Sequence, residues 1–133
     1  MDREILQSLQ MSKRKAYRKL VEVMDLTEQL AQAVERRDEV STKMLLGMRQ
    51  DPLIALQEIE ETVRRSVLAQ PEGDARRLSV LLRGDPAEEE DGDESALREI
   101  CERNRRELDR IAQLDRRISL KMGGKRSYYD HVR

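Results

Sequence analysis

The stretch LQSLQMSKRKAYRKLVEVMDLTEQLAQAV, residues 6–34, decides the fold. Leu6, Leu9, Lys13, Ala16, Leu20, Val23, Thr27, Leu30 and Val34 recur at spacings that alternate between three and four. Such a repeat lays one stripe along a helix and favours shallow, supercoiled packing against a partner helix. Only Lys13 is foreign to an apolar seam. The stretch holds no Gly or Pro, so the reading is one helix of about 30 residues, roughly 45 Å long at 1.5 Å per residue.

Working outward, the pattern changes near ERRDEV. Asp38 can cap a new helix by accepting the free N–H groups of its first turn. Val40, Met44, Leu45 and Met48 form an apolar stripe, and Leu53, Leu56, Ile59, Val63 and Val67 continue it past Asp51-Pro52. Asp-Pro is also a helix start signal, so one helix kinked at Pro52 and two collinear helices both fit. Gln70-Pro71-Glu72-Gly73-Asp74 stops this segment. A short helix from Asp74 to Arg83 follows, with Leu78, Leu81 and Leu82 on its apolar side and Gly84 at its end.

Residues 85–94, DPAEEEDGDE, hold seven acidic side chains and no basic one. Repulsion at that density predicts a mobile, solvated loop. The last long helix starts at Asp93 or Ser95. Its stripe is Leu97, Ile100, Cys101, Asn104, Leu108, Ile111, Leu114, Ile118 and Met122, and Gly123-Gly124 ends it. No segment alternates with period two. The expected fold is all-α: an elongated antiparallel bundle of about three long helices plus one short helix. It forms a single domain over residues 1–122, followed by a flexible basic tail over 123–133.

Composition narrows the function. Charged residues make up 40% of the chain, aromatic residues only 2%, and 26 Lys plus Arg stand against 27 Asp plus Glu. That balance gives no long-range field to steer nucleic acid or an anionic membrane, so neither is an expected partner. No apolar run approaches the roughly 20 residues of a membrane span. With one cysteine no disulfide forms within the chain, and the first residues lack the basic-then-apolar order of a signal peptide; a cytoplasmic protein is expected.

Candidate chemistry is sparse. His131 is the only histidine, too few for a site of His and Cys ligands, and no metal or other cofactor is expected. Glu58 with Glu61, and Glu99 with Glu102, have the Glu-x-x-Glu spacing of helical magnesium-dependent nucleotide phosphohydrolases. In a chain one-fifth acidic such pairs also arise by chance, and an enzyme is not the reading favoured here. The acidic loop lacks the ligand order of a calcium hand. Cys101 lies on the apolar stripe, as a small core residue does. The basic run KRKAYRK, residues 13–19, spreads its charges around the helix as a solvated exterior does. Asn104 within the last stripe reads as a polar seam residue that fixes register.

Binding is what remains. Long helices with narrow stripes make bundles with incompletely covered faces, and an apolar groove that accepts an amphipathic helix is a common use of them. Met44, Met48 and Met122 are candidate edge residues. Against this stands a structural coiled-coil homodimer in which residues 6–34 meet their copies.

The order TEQLAQAVERRDEVSTKMLLGMRQDPLIALQEIEETV, followed by a helix ending NRRELDRIAQLDRRISLKMGGKRSYYD, resembles the FlgN-type flagellar export chaperones. The likeness covers residues 17–68 and 95–130 and lies in the order of elements and the style of the tail. It implies a cytoplasmic, non-enzymatic protein that holds amphipathic terminal helices of hook-associated flagellar subunits until export-gate proteins take them. By that resemblance the client-binding face is Leu97, Ile100, Asn104, Leu108, Ile111, Leu114, Ile118 and Met122. Lys125, Arg126, Tyr128 and Tyr129 would be the tail contacts to the export machinery. Pro52 and the insert of residues 74–84 depart from the family pattern.

Overall fold

The computed structural model describes residues 1–123. These form four helices, α1 (Arg3–Glu35), α2 (Glu39–Leu68), α3 (Glu72–Leu82) and α4 (Gly92–Lys121), with no strand among the described residues. The chain is an all-α bundle.

Helix α1 is its spine. Both α2 and α4 lie along α1, while α2 and α4 scarcely approach each other. Being flanked on two sides gives α1 a wider buried stripe than a simple heptad. Gln10, Leu26 and Ala33 join Leu6, Leu9, Ala16, Leu20, Val23, Thr27 and Leu30 in the interior. The seam that a coiled-coil homodimer would have used is therefore packed within the chain.

Helix direction follows from the end contacts. Arg3 pairs with Asp93 at 3.2 Å and Lys121 with Glu35 at 3.0 Å, so α1 and α4 run parallel, and α2 runs against both. Asn104 Nδ2 donates to the Lys13 carbonyl at 2.9 Å, a contact that sets the register between α1 and α4. The Arg103 guanidinium lies 3.7 Å from the centre of the Tyr17 ring, and this fixes the only described tyrosine to α4.

The turns show why the helices stop where they do. After α1, Asp38 N–H donates to Ala33 O at 2.9 Å and Arg37 N–H to Val34 O at 3.1 Å, with Arg37 at φ 56°. After α3 the same pair of bonds runs from Asp85 to Val80 and from Gly84 to Leu81, with Gly84 at φ 82°. Both are left-handed reversals that satisfy the last carbonyls of a helix. Asp38 then caps α2 by accepting from Ser41 N–H at 3.0 Å. The Ser41 hydroxyl, the same N–H and Arg36 hold its carboxyl below the usual range.

Two expectations resolve and three shift. Pro52 lies inside a single continuous α2 and is buried. Gly123, at φ 79°, closes α4. Helix α3 begins two residues earlier than its expected Asp74 cap, and α4 begins at Gly92 behind an Asp91–Glu94 capping box. The acidic segment is pinned, contrary to the mobile loop expected. Glu90 accepts from Ala87 N–H at 2.8 Å and Arg98 Nε at 2.9 Å, and Arg77 reaches the Glu88 carbonyl and the Glu94 carboxylate. Arginines outside the segment pair with four of its carboxylates, those of Asp85, Glu90, Asp93 and Glu94.

The core falls into three clusters along the bundle, with Leu20, Val23 and Ile111 forming one of them. Leu78 and Leu81 of α3 plug one end against Leu6, Leu9, Val63, Leu97 and Cys101. Leu26, Leu30, Ala33, Leu45, Leu46 and Ile118 fill the other.

A trough between two helices of the bundle

Because α2 and α4 both pack along α1 and scarcely approach each other, a trough opens between them. Two adjoining hollows of about 590 and 640 Å³ share Leu20, Leu53, Leu56, Gln57 and Leu108 and make one depression. Its floor is α1, through Ala16, Leu20 and Val23. One wall is α2 from Leu46 to Glu60, about 21 Å at the helical rise. The other wall is α4 from Cys101 to Asp115. Leu82, Arg83 and Asp85 close it at the α3 end.

At the opposite end Arg49 of α2 pairs with Asp115 of α4 at 3.0 Å, an ionic strut across the trough. The Arg49 side chain is buried and that of Asp115 partly so. At the α3 end, Arg83 and Arg105 both reach Asp85 at 3.3 Å. They hold its carboxyl below the usual range, Arg83 first. Between these polar ends the lips are aliphatic: Leu53 is 40% exposed, Ile54 49% and Leu108 55%. Three large aliphatic side chains left open around one hollow mark a place where another apolar surface gains by covering them.

The face of α4 implied by the family resemblance divides. Leu97, Ile100, Ile111 and Ile118 are buried and belong to the chain's own core, so they do not form an open docking stripe. The reason is the spine: α1 covers the stripe of α4 that periodicity reveals. Leu108, exposed at the lip, and Asn104 and Ile111, which line the trough, are the members of that face with access to it. Leu114 and Met122 pack half-buried at the far end. Lys125, Arg126, Tyr128 and Tyr129 lie outside the described residues.

Reasoning on one stripe per helix missed the other half of the site. Leu53, Ile54, Leu56 and Gln57 on α2 line the trough. Leu53 and Ile54 are adjacent apolar residues, one more than a single stripe needs, and that pairing was the available signal. Met44 and Met48 are exposed, as edge residues are, but with Val40 they lie outside the trough.

Other candidate groups have structural employment. Cys101 is buried, and its loss of water pushes the thiol up to about 11 despite nearby Lys13. Glu61 accepts from Arg64, and Glu102 pairs with Arg98 and Arg106. Among the described residues no three His, Cys, Asp or Glu side chains converge as metal ligands. No helix among them is long and apolar enough to cross a membrane. No described protein family, curated protein or solved structure matches this chain.

Proposed function

We propose that this protein is a helix-holding export chaperone of the FlgN type, cytoplasmic and non-enzymatic, whose client helix lies in the trough between α2 and α4. The observation that carries the reading is the trough itself: an aliphatic floor and lips, about four helical turns long, between two antiparallel helices. A three-helix arrangement with this gap accepts one further helix to complete a four-helix bundle. The flagellar assignment, with hook-associated subunits as clients, rests on the sequence resemblance alone.

The energetics suit a carrier. Each 100 Å² of apolar surface removed from water contributes about 2.5 kcal/mol, so a client stripe laid on Leu20, Leu53, Leu56 and Leu108 is sheltered from aggregation. The cost of immobilising two partners offsets much of that gain, which leaves a complex the export machinery can open. In this reading Lys125, Arg126, Tyr128 and Tyr129 serve the export gate and not the client.

The test is a titration of the terminal helix of a hook-associated subunit into the purified protein. Leu53→Glu with Leu108→Glu places two charges at exposed positions, so the fold survives while the client would have to bury them. Affinity should fall about a hundredfold with an unchanged circular dichroism spectrum. Removal of residues 124–133 should leave it unaltered. Equal binding by the double variant would take the client out of the trough.

A further inference from the structure

Two buried acceptors on one wall of the trough make no hydrogen bond within the described residues: Asn104 Oδ1 and Asp115 Oδ1. Asn104 is only 8% exposed, and its amide orientation is fixed because Nδ2 donates to the Lys13 carbonyl. Asp115 uses its other oxygen, Oδ2, for Arg49. Both residues line the depression. They stand eleven residues apart on α4, about three helical turns and roughly 16 Å, so they share a face.

These oxygens are already out of water, and a purely aliphatic occupant would close the trough over them and leave them unsatisfied, which is costly. An occupant with donors at the matching places satisfies both. Resting on the trough as the client site, we infer that the fitting occupant is an amphipathic helix carrying two hydrogen-bond donors about eleven residues apart on the edge of its apolar stripe. The two donors differ in kind. Facing Asp115 the match is a cation, Lys or Arg, drawn by the carboxylate. Facing Asn104 it is an uncharged amide or hydroxyl, because Lys13 and Arg105 border that end together with Glu60 and Asp85 and the Asn104 carbonyl itself carries no charge to draw a cation. Asn104 and Asp115 thereby set the register of the held helix, as a polar seam residue does in a coiled coil. The spacing holds for either direction of the occupant.

The experiment uses the full chain and four labelled, helix-stabilised 18-residue peptides that share one Leu stripe, read by fluorescence anisotropy. The first carries Gln and Arg eleven residues apart, the second the same pair seven apart, the third Leu at both places. The fourth has the first design's Arg with Leu in place of Gln. The inference predicts that the first binds about tenfold tighter than each of the others. Asn104→Leu should abolish the preference of the first over the fourth. Because the Gln-to-Leu change lies in the peptide, the comparison stands even where Asn104→Leu perturbs the protein. Equal affinities, or a Gln preference that persists in a folded Asn104→Leu, overturn the register pin and leave the trough as the site. If none binds, the trough reading falls and the pin with it. A dimer of the protein alone that Leu53→Glu dissociates would assign the trough to a second copy and overturn both.

Discussion

Arg37 and Gly84 occupy the same kind of position and answer it differently. Each follows a helix C-cap in the left-handed region, at φ 56° and φ 82°, but only one is glycine. The left-handed conformation costs an ordinary L-residue about 1–2 kcal/mol. Arg37→Gly should therefore stabilise the protein by about 1 kcal/mol, seen as a higher urea midpoint at constant slope. Gly84→Ala should cost at least about 1–2 kcal/mol from conformation alone. Its new Cβ would also stand 2.9 Å from Glu102 Cα and 3.0 Å from Glu102 N, pushing α3 off α4. Gly47→Ala is the control. Nothing lies within 4 Å of that Cβ, and α2 should gain about 0.5–1 kcal/mol. A similar loss at Gly47 and Gly84 would contradict this account of the turn. These caps were legible because a cap is local: Asp38, Gly84 and Gly123 each announce themselves within a few residues. Leu108 was not. It stands in the same stripe as Ile111, yet it is 55% exposed and Ile111 4%, a contrast set by where the neighbouring helices run.

At the scale of elements, the segment from α3 into α4 is held by charge as well as by leucine. Arg77 holds the Glu94 carboxyl below its usual range. A bond from Ala87 N–H, then those from Arg98 and Ser95, does the same for Glu90. Such groups bind fewer protons folded than unfolded. Their contribution is fully present above the ordinary carboxylate range near pH 4.5 and is lost as pH falls through their lower folded values. Hydrogen exchange compared at pH 6 and pH 3 should show α3 and residues 85–94 loosening first, with the middle of α1 still protected. Uniform loss along the chain would mean that the ion pairs do not hold this end. Like charges crowded in DPAEEEDGDE read as mobility because their partners, Arg77, Arg98 and Arg105, sit in other elements. Helix α3 itself was legible, since Leu78, Leu81 and Gly84 place an apolar side and a stop without outside help. Its role as a plug was not, because Leu6, Val63 and Leu97 come from three other helices.

For the whole molecule, the order and lengths of the helices follow from periodicity, and the trough does not. Four apolar stripes say that helices pack. They do not say that α1 takes both α2 and α4 while those two stay apart. That choice opens the trough, because it places Leu97, Ile100, Ile111 and Ile118 in the interior and leaves Leu53, Ile54 and Leu108 on the lips. The central claim is that an amphipathic helix fills this space. At 15.6 kDa the protein suits methyl NMR, and the most direct measurement is a titration of leucine-methyl-labelled protein with the terminal helix of a hook-associated subunit. The account predicts saturable shifts at Leu20, Leu53, Leu56 and Leu108, with Leu78 and Leu81 of the plug unmoved. Shifts that gather elsewhere, or none at all with a helix that binds, would contradict it.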